Sequence, residues 1–215
     1  MTLRYLDLEA FRSTPLIHDP FDYLIVPGFV RKEVRETINR DYPKISERGS
    51  YPVGMHACGS GFQELLDELE TSEFRLEFEK KFGIDLSGRP TMTTVRSQCA
   101  ADDGQIHTDS KNKIIAVLIY MNSTWEAPGG RLRLLRSRNL EDMVAEVPPT
   151  WTLVAFRRAH NSWHGHEPFV GARRLVQMNW VTSEWYRTIQ VLRHHKSALF
   201  KRIFGALSFG IWRIT

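Results

Sequence analysis

The stretch after Pro90 predicts a mainly β protein, an antiparallel sandwich or barrel, with helices ahead of it and a helical tail behind. Three observations carry this. First, TMTTVRSQC, KIIAVLIYMN, RLRLLRS, TWTLVAF, SWHGHEP and RRLVQMNWV are short and rich in β-branched, aromatic and leucine residues, with Gly, Pro, Asn and Asp clusters between them. Second, no helical pattern separates these segments, so the strands follow one another directly rather than through crossover helices. Third, apolar residues recur at helical spacing before Pro90 and again beyond residue 183. With GQIH and MVAEV as two further short strands, the count comes to about eight.

In chain order, DYLIVPGF (22–29) reads as a short strand stopped by Pro27 and Gly28, and VRKEVRETINRDY then reads as helix. Phe62, Leu65, Leu66 and Leu69 share one helical face. So do Phe74, Phe78 and Phe82, with Thr71 or Ser72 as the cap at the start and Gly83 at the end. These phenylalanines are expected to be core. The expected organisation is one barrel domain with its leading helices over 1–183, and a basic amphipathic tail over 184–215.

The chain has 215 residues, 42% of them hydrophobic, enough for one sizeable core. Two cysteines, Cys58 and Cys99, make no disulfide framework, and the charged first fifteen residues lack the apolar run of a signal peptide. A cytoplasmic location is expected. The net charge of +4 is mild, and Arg187, Arg193, Lys196, Lys201, Arg202 and Arg213 gather between Arg187 and Thr215, a stretch without acids. The body is therefore close to neutral, and no nucleic-acid partner is expected. In the tail, Trp185, Ile189, Leu192, Leu199, Phe200, Ile203, Phe204 and Leu207 form an apolar stripe. That stripe suits a helix laid on the barrel, or else a peripheral contact with a membrane surface or a partner.

GQIHTDSKNK (104–113) places His107 and Asp109 two residues apart. The pair is either a polar turn or two metal ligands, because residues two apart on an extended chain face the same way. A non-haem Fe(II) site needs two imidazoles and one carboxylate on one face, with open positions beyond them. Downstream, RRAHNSWHGHEP offers His160, His164 and His166. His164 starts a short strand and is the preferred third ligand. His166 has the same strand parity and competes with it, while His160 reads as a loop residue. Arg173 and Arg174 follow across a turn at Pro168 and Gly171, and a buried guanidinium there would meet a carboxylate bidentately.

At these residues the chain resembles the Fe(II)- and 2-oxoglutarate-dependent dioxygenases, particularly the prolyl-4-hydroxylase-like branch. The resemblance covers roughly 90–183, and more loosely DPFDYLIVPGFV upstream. It rests on HTD, on IYMNSTWEAPGGRLRLL and on WHGHEPFVGARRLVQMNWV. In the family, H-x-D and a distal histidine bind iron, and a strand ending in Tyr-Leu-Asn precedes Gly-Gly-x-Leu. Here those are Tyr120-Met121-Asn122 and Gly129-Gly130-Arg131-Leu132. The distal histidine is followed by a proline and then a basic residue, matched by His164, Pro168 and Arg173 or Arg174. The resemblance implies a double-stranded β-helix, the jelly-roll barrel also seen in cupins. It implies Fe(II) on His107, Asp109 and His164, and 2-oxoglutarate held by Arg174 or Arg173 with Tyr120 assisting. It also implies dioxygen as the second cosubstrate.

Between the two arginines, strand alternation decides. If Val176, Met178 and Trp180 line the barrel, Arg174 points inward; if Leu175, Gln177 and Asn179 do, Arg173 does. The apolar set reads as the better lining, so Arg174 is expected inside. Trp180 and Trp163 are candidate walls of a substrate pocket. Arg96 reads first as a sheet-edge residue and second as a contact for an acidic substrate. The activity implied is oxidation of a C–H bond in an unidentified small molecule or peptide, coupled to conversion of 2-oxoglutarate into succinate. The family's halogenating members lack the aspartate, so Asp109 points to hydroxylation, or to demethylation or desaturation by the same oxidant. The alternatives are a cupin-type metalloenzyme that does not use 2-oxoglutarate, and a catalytically silent barrel serving as a binding or scaffold module.

Overall fold

Caps and apolar stripes set the helices. The computed structural model of the protein describes residues 3–193. Helix α1 spans Leu8–Ser13, and the Asp7 carboxylate accepts the N–H groups of Glu9 and Ala10. A 3-10 turn over Lys32–Val34 leads into α2, Arg35–Asp41. Helix α3, Ser60–Leu69, buries Phe62, Leu65, Leu66 and Leu69. Helix α4, Ser72–Phe82, is capped by Thr71, whose hydroxyl accepts the Phe74 N–H, and ends on Gly83 in the left-handed region that glycine enters without a Cβ penalty.

The described residues form nine strands: β1 Tyr23–Val26, β2 Tyr51–Pro52, β3 Thr91–Cys99, β4 Lys113–Tyr120, β5 Arg133–Leu135, β6 Met143–Glu146, β7 Leu153–Arg157, β8 Trp163–Gly165 and β9 Gly171–Val181. They make two antiparallel sheets. The larger runs β1-β7-β4-β9-β3-β2 and the smaller β6-β5-β8. This is a double-stranded β-helix with flanking helices. The segment GQIH forms no strand; it contributes a single bridge, His107 opposite His164.

Two apolar cores result, one on each side of the larger sheet. In β4 and β9, Ile119 pairs with Val176, Val117 with Met178 and Ile115 with Trp180. These residues join the core formed with α3 and α4. The second core lies on the inner face and holds Ala116, Leu118, Tyr120, Val154, Phe156 and Leu175, together with Leu132 and Leu134 of the smaller-sheet side. The expected lining of β9 is thereby reversed. Val176, Met178 and Trp180 face the helices, because two phenylalanine-bearing helices need an apolar surface to cover. Trp180 packs on Phe74 and Phe78, with ring centroids 6.0 and 4.9 Å away, and is not part of the lining of the cavity described below.

After β9, residues 184–193 are helical. Trp185 and Leu192 are exposed, at 75% and 54%, whereas Tyr186 and Gln190 face the cavity described below. The rest of the tail stripe, from Leu199 to Leu207, lies outside the described residues. Among the described residues no helix is long and apolar enough to cross a membrane.

Since Trp180 is about 1% exposed and wedged between helix and sheet, Trp180→Ala is expected to cost about 3–5 kcal/mol in urea unfolding. Trp180→Phe should retain most of the stability.

Candidate active site

The site begins with two backbone hydrogen bonds. The His107 N–H donates to the His164 carbonyl and the His164 N–H to the His107 carbonyl, both at 3.0 Å. Residues that exchange both bonds lie directly opposite, with side chains on one face. The two imidazoles accordingly sit 4.4 Å apart, centroid to centroid. Asp109, two residues on, reaches the same place: one ligand atom from each of His107, Asp109 and His164 lies within 4.8 Å of the others. His107 is the exposed member, while Asp109 and His164 are buried.

Each side chain is prepared for a cation. The His107 Nδ1 lies 2.7 Å from the Gln105 carbonyl and the His164 Nδ1 3.0 Å from the Ser162 carbonyl. A carbonyl only accepts, so both Nδ1 atoms carry the proton and both Nε2 lone pairs are free for a metal. Burial lowers the His164 pKa to about 4, so its ring is neutral at physiological pH. Burial alone would raise the Asp109 carboxyl, but Lys113 together with the His164 and His107 rings outweighs that and holds it below its usual range. The Lys113 ammonium donates to Asp109 Oδ1 at 2.6 Å. Asp109 Oδ2 is buried with no hydrogen-bond partner among the described residues. A buried, orphaned carboxylate oxygen beside two free imidazole nitrogens fits a divalent cation.

The cluster opens into a cavity of about 290 Å³ between the two sheets. Strand β9 sends Arg173, Leu175, Gln177 and Asn179 into it. Arg173 is buried; its Nε donates to the Gly130 carbonyl and one terminal nitrogen to the Tyr120 hydroxyl, both at 2.8 Å. Among the described residues no carboxylate pairs with it. Arg174 points the other way: its guanidinium lies over the Tyr42 ring and contacts Asn39. The orientation expected for this pair is therefore corrected to Arg173 inside and Arg174 outside. The two arginines do lie on opposite faces of β9, but the apolar face belongs to the helices and the polar one to the cavity.

The remaining candidates divide. Arg96 lines the cavity and pairs with Asp103 at 3.4 Å. Trp163 pairs with Leu135 on β5 and lies outside the cavity lining. His160 is exposed and apart. His166 lines the cavity without joining the cluster. Its Nδ1 bonds the Glu167 carbonyl, and burial lowers its pKa to about 4. Its ring occupies the space over Gly104, where a Cβ would stand 2.3 Å from ring atoms. Lys113 went unnoticed in the sequence because simple alternation from Tyr120 puts residue 114 on the inner face. The β4–β9 register shifts between Lys113 and Ile115, and this bulge re-aims the lysine.

Two imidazoles and a carboxylate converging within a double-stranded β-helix have the donor set of a non-haem metal site. Residues 96–182 match the family model described as 2OG-Fe(II) oxygenase superfamily. Over that stretch the chain is similar to this superfamily, whose description names Fe(II) and 2-oxoglutarate. No curated protein matches the sequence. Among solved structures, the fold resembles a prolyl-4-hydroxylase from Pseudomonas putida, at 14% identity over 75% of this chain and 92% of that one, with a TM-score of 0.50. It also resembles a prolyl hydroxylase from Trichoplax adhaerens, solved with a peptide fragment of the oxygen degradation domain of hypoxia inducible factor. That likeness has 16% identity over 78% of this chain and 86% of that one, with a TM-score of 0.54.

Single alanine substitutions of His107, Asp109 and His164 are expected to weaken Mn(II) or Co(II) binding more than ~100-fold by calorimetry, with the circular dichroism spectrum intact. Gly104→Ala, at φ +81° against the His166 ring, should destabilise the fold by about 1–3 kcal/mol in thermal unfolding.

Proposed function

We propose that this protein is a 2-oxoglutarate-dependent hydroxylase, with 2-oxoglutarate seated between the metal cluster and Arg173. The observation that carries the reading is the buried Arg173 guanidinium. It lines the same cavity as the cluster and has no acidic partner among the described residues. An unpaired buried charge is costly, and a ligand carboxylate met by a planar guanidinium relieves that cost. The Tyr120 hydroxyl, already accepting from Arg173, stands ready to donate to the same carboxylate. Burial raises the Tyr120 pKa, so the phenol keeps its proton and remains a donor.

Iron, when bound with 2-oxoglutarate and dioxygen, supplies the oxidising chemistry that couples succinate formation to oxidation of a substrate C–H bond. The chain's own residues do the rest. His107 and His164 would hold the metal through Nε2, their Nδ1 protons fixed on backbone carbonyls. Asp109 would hold it through Oδ2 while Lys113 keeps Oδ1 in place. Leu118, Leu132 and Leu175 form an apolar wall that keeps water from the cosubstrate. The aspartate in the ligand set favours hydroxylation over halogenation, since a carboxylate occupies the place that halide takes in halogenating relatives.

The two arginines give a paired test. Arg173→Met is expected to raise the KM for 2-oxoglutarate by about 100-fold, read as succinate release, while Arg174→Met changes it less than about threefold. Mn(II) binding should be unchanged in both. Absence of succinate from iron-loaded protein under every condition would favour a silent barrel instead.

A further inference from the structure

Along β9 away from Arg173 the cavity wall turns polar, and one of its buried polar atoms has no partner among the described residues. Lys113 lines it with its side chain only 13% exposed, and its one acidic partner among the described residues is Asp109. Asn179, 1% exposed, also lines it, and its side-chain oxygen is buried without a hydrogen bond. In the β4–β9 register Asn179 faces Ala116, one step from the bulge that turns Lys113 inward. Gln177 follows on the same face of β9. Tyr186 and Gln190, from the helix after β9, border the same space.

Charge counting gives the sense of this surface. Asp109 is the sole carboxylate among the cavity's described lining residues, and Arg96 is already paired with Asp103. In the oxygenase reading, on which this inference rests, Asp109 serves both a divalent cation and the Lys113 ammonium. The two carboxylates of 2-oxoglutarate offset one charge of the metal and the Arg173 guanidinium. One positive charge remains beside the metal in a low-dielectric cavity, where an unpaired charge is costly. A substrate anion at Lys113 neutralises it. The amide oxygen of Asn179, on the same cavity wall, is free to accept a hydrogen bond from that substrate.

We propose that the substrate is a small molecule carrying a carboxylate next to a hydrogen-bond donor, as a free amino acid does. The carboxylate is bound by Lys113 and the donor by Asn179. A peptide-bonded residue lacks the free carboxylate. The helix after β9, with Tyr186 and Gln190 at the cavity, narrows the approach for a longer chain.

The test uses the iron-loaded full chain with 2-oxoglutarate. Succinate release is followed alone and with each free L-amino acid, the matching amides and methyl esters, and a proline-containing peptide blocked at both ends. At least one free amino acid is expected to raise succinate release over the substrate-free rate, and its methyl ester and amide should not. Lys113→Met should raise the KM for that amino acid at least about tenfold, with Lys113→Arg recovering part of it, read against the Mn(II) affinity of the same variants because Lys113 also holds Asp109. Calorimetric titration of the Mn(II)- and 2-oxoglutarate-loaded protein with the same amino acid should give binding in the native chain and none in Lys113→Met. The inference is overturned if the ester or the blocked peptide stimulates as well as the acid, if Lys113→Met responds like the native chain, or if basal succinate release is unaffected by every amino acid. A complete lack of succinate, with and without additions, instead defeats the oxygenase reading and takes the inference with it.

Discussion

A pair of backbone hydrogen bonds between residues 107 and 164 is the constraint on which the site depends. The segment around His107 has no strand of its own, yet this one exchange docks it on the free side of β8. The exchange brings two imidazoles within 4.4 Å of each other. Two imidazolium ions at that distance would repel, so the geometry is comfortable only with neutral rings or with a cation that both can face. Burial of His164 keeps its ring neutral, and the backbone carbonyls of Gln105 and Ser162 fix the tautomers. Asp109 then enters by chain geometry alone, two residues along on the same side.

The larger sheet separates two chemical environments. Its helix-facing side is apolar and dry, stacked with Trp180, Phe74 and Phe78. Its inner side carries Arg173, Gln177 and Asn179, whose polar groups look across to the cluster. The outer core holds the frame rigid, and the inner face can therefore carry groups that the protein itself leaves unsatisfied. That arrangement suits binding more than stability: Asp109 Oδ2 and Asn179 Oδ1 are both buried without partners.

Much of this was legible before any coordinates. The Thr71 cap and the Gly83 stop bound α4 as read from the sequence, because capping is a local interaction. The strands after Pro90 fall where short β-rich segments alternate with turn residues, except GQIH, which is too short to form more than a bridge. Lys113 and Asn179 were not legible. A bulge re-aims the lysine, and bulges arise from how two strands pair, not from either strand's composition. Asn179 matters because it has no partner, and a missing partner is a property of the assembled cavity.

Strand β9 shows where the line falls. Its sequence by itself determined that Arg173, Leu175, Gln177 and Asn179 share one face and Arg174, Val176, Met178 and Trp180 the other, because alternation is built into the extended backbone. The tertiary structure alone decided which face looks into the cavity. That choice depends on α3 and α4, far away in the chain, which bury their own apolar stripes against Val176, Met178 and Trp180. An apolar row marks a buried face, and in a barrel wrapped by helices both faces are buried. The residue pattern therefore carries the parity of the strand, and only the packing of distant helices assigns an inside and an outside to it.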